Sequence, residues 1–155
     1  MKKISVQAQD FNVAEEIAQV RTHRTDIGAI VNFIGLVRDS HADLESLTLE
    51  HYPGMTEKVL DEIASQAQQR WALQAVVVIH RYGCLKPAEQ IVMVLVASKH
   101  RGNAFAAGEY IMDYLKTQAP FWKKESTRNK ETAEIETQWI AAKASDKTAN
   151  QRWDK

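Results

Sequence analysis

Two runs of the chain, AVVVIHRY at residues 75–82 and QIVMVLVAS at residues 90–98, are apolar almost throughout. Side chains of a strand alternate between two faces, so an uninterrupted apolar run belongs to a strand covered on both. Both runs are far too short to be membrane-spanning helices. The GCLKPAE stretch between them carries the Gly and Pro punctuation of a connection. Any fold for this chain must therefore cover both faces of these two strands.

The flanking segments supply the cover. Residues 56–71 place Leu60, Ile63, Ala64, Ala67 and Trp71 on one helical stripe against a charged opposite face. Residues 102–118 do the same with Phe105, Gly108, Ile111, Met112 and Leu115, and Pro120 stops that helix. Val13, Ile17 and Val20 share a face of a short helix. Residues 3–8, GAIVNFIG (28–35), the alternating segment 47–52 and EIETQWI (134–140) read as further strands, and residues 121–126 as extended chain. Residues 128–132 form a polar loop, and the tail from Ser145 is either a short helix or partly frayed. Strands and helices alternate without the regular spacing of a doubly wound nucleotide fold, so the class is α+β, in one domain with a small subdomain.

Composition then excludes several functions. Twenty basic residues balance twenty acidic ones, which argues against a general affinity for nucleic acid or anionic membrane. A cationic site must be local. The single cysteine, Cys84, excludes an intrachain disulfide, and is expected as a small packing residue in a reducing compartment. The start, MKKISVQAQDF, has no apolar signal segment, so a cytoplasmic protein is expected. No dinucleotide, P-loop, nucleophile-elbow or zinc-protease motif is present, and the five histidines lack ligand spacing. Metal catalysis is not expected.

What remains is cationic. Lys99, His100 and Arg101 stand where a buried strand passes into a helix, and a helix amino terminus disfavours cations by about 0.3–1 kcal/mol each unless an anion joins them. The cluster is either such an anion site or a solvated turn. Lys116 either complements the helix dipole or, bordering the apolar stripe four residues after Met112, is partly desolvated and suited to proton transfer. In extended chain Lys123 and Lys124 face opposite ways, so one points inward, unless both are surface lysines beside a core Trp122. Arg38 follows a strand end, where functional side chains gather. Arg38, His100, Arg101, Lys116 and Lys123 together suit a ligand rich in oxyanions.

These same segments resemble the large, catalytic subunit family of molybdopterin synthase. The resemblance rests on GAIVNFIGLVR, LTLEHYPGMTEK, VIHRYG, ASKHRGNAFAAGEYIMDYLKTQAPFWKKE and the closing W-x-x-x-K-x-S-D, and it covers Gly28 to Trp153. It implies a hammerhead-type α+β fold and a homodimer at the centre of a heterotetramer. A small ubiquitin-like carrier would bind each large subunit and insert a Gly-Gly thiocarboxylate. The substrate would be precursor Z, a cyclic pyranopterin monophosphate, with no cofactor required. Two loaded carriers would act in turn, since a dithiolene needs two sulfurs.

Carried onto this chain, the resemblance implies a substrate pocket of Leu36, Val37, Arg38, His100, Arg101, Lys116, Lys123, Lys124 and Glu125. Lys116 and Lys123 would be catalytic. Phe33, Met112 and Phe121 would line a tunnel for the carrier tail, where their plain reading is as core. Leu36 stands where relatives are often basic or polar, so only its backbone is expected to make contact. Lys143 replaces an arginine that reaches the neighbouring protomer's site, keeping the charge without the planar fork. The loop at 128–132 looks longer than in some relatives. Two rival classes stand beside this one: a dimeric module that binds a phosphorylated metabolite without chemistry, and a scaffold whose long apolar strands serve subunit contact.

Overall fold

The structure, a computed structural model, describes residues 1–141 and 143–154. In chain order the elements are β1 (Lys2–Gln7), α1 (Val13–Arg21), β2 (Ala29–Leu36), β3 (Leu44–His51), α2 (Met55–Trp71), β4 (Ala75–Arg81), β5 (Gly83–Leu85), β6 (Gln90–Ser98), α3 (Arg101–Gln118), β7 (Phe121–Arg128), β8 (Ile135–Ile140) and α4 (Ala144–Ala149), followed by a 3₁₀ turn at Asn150–Trp153. They build two four-stranded sheets, in the orders β1-β4-β6-β2 and β5-β3-β7-β8. All pairings are antiparallel except β1 with β4. Helices packed on one of two mainly antiparallel sheets make an α+β fold.

The two apolar runs are the inner strands β4 and β6 of the first sheet, and their alternation divides the core in two. Val76 and Val78 on β4 with Val92, Val94 and Val96 on β6 meet Leu60, Ile63 and Ala64 of α2 and Ala104, Ala107 and Ile111 of α3. Ala75, Val77, Ile79, Met93, Leu95 and Ala97 face the other way, against Phe11 and Val20, with Val13 and Ile17 of α1 beside them. Both faces are covered, as the lack of polar alternation requires. No helix among the described residues is long and apolar enough to cross a membrane.

Local signals set the boundaries. Glu57 accepts a hydrogen bond from the Gly54 N–H at 2.7 Å, closing the start of α2. Gly28 lies against the end of β6, where an added Cβ would stand 2.3 Å from the Lys99 carbonyl oxygen. Only glycine permits that approach. The tail is folded rather than frayed: Asp113 Oδ2 accepts from Arg152 Nε at 2.8 Å, Arg152 Nη2 at 2.6 Å and Trp153 Nε1 at 2.7 Å. Trp153 packs edge-on against Trp71 and Tyr110. This anchor lays α4 beside the carboxyl-terminal half of α3.

Two expectations need correction. The connection GCLKPAE contains a strand, β5, paired with Leu47–Leu49 of β3. Cys84 on that strand is exposed rather than packed inside, because β5 is an edge of its sheet and its alternate positions face solvent.

Candidate active site

Helix α3 begins at the end of the buried strand β6 and carries Lys116 in its last turn. Pro120 cannot continue the helix, and the chain reverses in a tight turn closed by the Phe121 N–H donating to the Ala119 carbonyl at 2.9 Å. It leaves at once as β7, paired with β3 through Phe121↔His51, Lys123↔Leu49 and Glu125↔Leu47. A helix end from the first sheet thus runs directly into a strand of the second.

Alternation along β7 divides its side chains. Phe121, Lys123 and Glu125 face a cleft, while Lys124 lies on the other face, its Nζ 5.3 Å from the ring centre of its cross-strand neighbour Trp139. Trp122 shares that outer face and is 50% exposed, so it is not a core residue. The lysine doublet therefore splits, one inward and one outward.

The cleft, of about 950 Å³, lies between the two sheets and collects Phe33, Leu36, Val37, Arg38, Met112, Lys116, Lys123, Glu125 and Lys143. Val37 is pinned by backbone hydrogen bonds, donating to Glu89 at 2.9 Å and accepting from Ala88 at 2.8 Å, which fixes where Arg38 leaves β2. A groove between β2 and α3, bordered by Phe33, Phe105, Gly108 and Met112, also reaches Lys116. Phe33 and Met112 belong to both spaces. Phe121 instead borders an adjoining smaller pocket that shares Lys116, Lys123 and Lys143 with the cleft, and it stacks on His80 with centroids 3.7 Å apart and planes at 16°.

One chain does not bring every candidate together. His100 and Arg101 stand at the opposite end of α3 from Lys116, about 22 Å along the axis at 1.5 Å per residue. Lys124 faces away. Lys143, which the resemblance assigns to a neighbouring protomer's site, borders this chain's own cleft. The residue that motif reading missed is His80, which borders the same space. Its signal was a titratable side chain inside a strand covered on both faces, a place that demands a hydrogen-bond partner.

The charges in the cleft bear on one another. Lys116 pairs with Asp146 of α4 at 3.5 Å, its side chain still 44% exposed, a geometry that adds little to stability. Desolvation falls instead on Lys123. Burial lowers its proton affinity below the ordinary lysine value, the positive charges of Lys116 and Lys143 lower it further, and Asp146 opposes them. Burial of its amine end against the cleft is the first cause of that shift and the neighbouring cations the second, although Lys123 as a whole residue remains exposed to solvent.

Burial holds the His80 imidazole at a pKa of about 4, against 6.5 ordinarily, with Lys123 and His51 adding to the depression and the hydrogen bond to Arg81 opposing it. The unfolded chain therefore binds a proton at this residue as pH falls through 6.5, whereas the native state does not until near 4. Stability contributed above pH 6.5 is lost across that window, to the extent of roughly 3 kcal/mol. Chemical denaturation at pH 7 and pH 4.5 checks this: His80→Phe removes much of the loss, which for the native sequence is steep.

Among the described residues no group of three or more His, Cys, Asp or Glu side chains is arranged to hold a metal ion. A family model described as MoaE protein matches residues 6–118. The chain is 51% identical over 154 residues to the molybdopterin synthase catalytic subunit of Vibrio cholerae serotype O1, covering 98% of each. The molybdopterin biosynthesis MoaE protein from Burkholderia ambifaria MC40-6 superposes with a TM-score of 0.81 at 45% identity, over 99% of this chain and 98% of that one. The likeness of fold extends, with a TM-score of 0.69 and 21% identity over 92% of this chain, to a chain in the complex of subunits 1 and 2 of the molybdopterin-converting factor from Helicobacter pylori 26695. With a family model over most of the sequence, a relative matched end to end, and a shared fold that brings paired lysines to one cleft, the chain belongs to the MoaE protein family.

Proposed function

We propose that the cleft is where this chain, as the catalytic subunit of a molybdopterin synthase, moves sulfur from the carboxyl-terminal thiocarboxylate of a small carrier protein to precursor Z, building the dithiolene of molybdopterin. The observation that carries this reading is the convergence of Lys116, from a helix end, and Lys123, from a strand of the other sheet, on one cleft that also holds Arg38 and Lys143. A phosphorylated heterocycle and a thiocarboxylate are both anionic, and four cationic side chains border this cleft of an otherwise neutral chain.

Roles follow from position. Lys116 polarises the thiocarboxylate carbonyl or passes the proton during transfer, and Lys123 meets the developing oxyanion or the departing group. The groove past Phe33 and Met112, of about 530 Å³, also borders Lys116 and would take the carrier's extended tail. The Helicobacter pylori complex of two subunits supports a small protein partner. Phe33, Leu36 and Phe105 leave apolar surface exposed near that groove, as a docking face requires.

Homodimerisation within a heterotetramer is part of the proposal. Strand β8 is an edge whose Ile135, Trp139 and Ile140 are all exposed, with Trp122 beside them. A strand of that kind is ordinarily covered. His100 and Arg101, a helix length from their own cleft, would on this proposal serve the cleft of a second copy.

The test mixes purified protein, thiocarboxylated carrier and precursor Z, and measures molybdopterin as its fluorescent oxidation product. The native protein makes product in stoichiometry with the carrier. Lys124→Ala remains within about threefold of it, since that side chain lies outside the cleft. No product from the native protein, with precursor Z nonetheless bound, establishes the non-catalytic module in place of this reading.

A further inference from the structure

His80 interrupts the apolar run of β4 and is only 4% exposed. Its Nδ1 lies 2.9 Å from the Arg81 carbonyl oxygen. A carbonyl only accepts, so the proton sits on Nδ1 and the lone pair on Nε2. Nε2 has no hydrogen-bond partner among the described residues, and the side chain borders open space. Phe121 covers one face of the ring, and the open space that the ring borders is the cleft. The lone pair therefore opens into it.

The space that His80 borders is also lined by Lys116 from α3, Lys123 and Glu125 from β7, Lys143 and Asp146 at the tail, and Arg38 after β2, with His51 of β3 beyond Phe121. The cations can only donate. The carboxylates accept, but Asp146 is engaged with Lys116 and both carry charge. The imidazole adds an acceptor without adding charge, on a rigid strand, with its orientation fixed by a backbone hydrogen bond on one edge and an aromatic ring on one face. A neutral, oriented acceptor beside several cations matches a ligand that has both anionic groups and N–H donors on a planar ring.

We propose that His80 Nε2 accepts a hydrogen bond from a ring N–H of a heterocyclic substrate, orienting the ring while the surrounding cations hold its anionic groups. The inference rests on the reading of the cleft as a pterin phosphate site. His80 is then a specificity residue: phosphate alone does not engage it, and a phosphorylated ring with N–H donors does.

The experiment uses the full-length protein with ¹⁵N-labelled histidine at neutral pH, titrated with neopterin monophosphate and, separately, with inorganic phosphate. The free protein shows the His80 proton on Nδ1. The pterin shifts the Nε2 resonance in the direction of an accepted hydrogen bond, and phosphate leaves it in place. His80→Asn keeps a donor where Nδ1 was and removes the acceptor. It weakens pterin binding about tenfold, as expected for one lost hydrogen bond, leaves phosphate affinity unchanged, and raises KM with kcat nearly constant. A proton on Nε2 in the free protein, or an unmoved Nε2 resonance at saturating pterin, overturns the proposal, and the unsubstituted protein decides this even where the variant does not fold. Pterin binding with Nε2 unmoved sinks only this inference. Failure of the native protein both to bind pterin and to form molybdopterin removes the functional reading, and the inference with it.

Discussion

Lys116→Ala is expected to lower turnover in the reconstituted reaction by about a hundred- to a thousandfold, with KM for precursor Z changed only a few-fold. The size follows from what the side chain is asked to do. An ammonium placed where charge develops during acyl-sulfur chemistry contributes roughly 3–4 kcal/mol to the transition state and little to the ground state, so its loss appears in kcat. The plain alternative is a lysine that complements the dipole of α3 and pairs with Asp146 at 3.5 Å. On that alternative the substitution costs a few tenths of a kcal/mol of stability, and turnover stays within a few-fold. Asp146→Asn serves as the control, because it breaks the same ion pair while leaving the ammonium in place. Equal rates for the alanine variant and the native protein reduce Lys116 to a helix-end charge.

Lys123→Ala is expected to produce a loss of similar order, and Lys123 carries a signature in pH. Its proton affinity lies below the ordinary lysine value of 10.5, through burial first and the nearby charge of Lys116 second. A step that needs the protonated amine therefore fails at a lower pH than a solvated lysine would impose, and the alkaline limb of kcat reports it. Neighbours move that limb in opposite directions. Lys116→Ala removes a like charge, favours the ammonium and carries the limb of the residual activity to higher pH. Asp146→Asn removes an opposite charge and carries it lower. Lys123→Arg keeps the charge at all accessible pH values, so its limb disappears although the rate stays low, the guanidinium being planar and differently placed. A limb that ignores all three substitutions is not Lys123.

Much of this was legible in the sequence because the strongest patterns are those that the core enforces. The runs at 75–82 and 90–98 became β4 and β6 because apolar residues on nearly every position leave no solvent-facing side. The helix stop at Pro120 and the split of Lys123 from Lys124 follow from backbone chemistry and strand alternation alone. Strand β5 was hidden, since its residues Gly83–Leu85 sit amid turn residues and Gly83 itself has φ of +96°. Such a strand is specified by its partner β3 and not by any pattern of its own. The beginning of β3 at Leu44 was hidden too, behind a register irregularity between Leu44 and Ser46.

The cleft was legible only in part. Spacing identified Arg38, Lys116 and Lys123 as cations at element ends, but their meeting depends on how elements of two sheets come together, which no local pattern encodes. His80 shows the opposite failure. Its sequence signal was plain, and the search for metal-ligand spacing passed over it because a lone imidazole makes no motif. His100 and Arg101 share a helix with Lys116, and the length of that helix keeps them apart within one chain.

The alternation of β7 has a consequence for how the site tolerates change. The strand opens with two doublets, Phe121-Trp122 and Lys123-Lys124. Losing one residue from the turn before it would reverse the parity of the strand and turn every inward side chain outward. Trp122 would then take the place of Phe121, and Lys124 that of Lys123, so the cleft would still be presented with an aromatic ring followed by an ammonium. The doubled letters make this short segment insensitive to parity, and the aromatic-ammonium pattern proposed for catalysis is kept through a slip that would erase it in most strands.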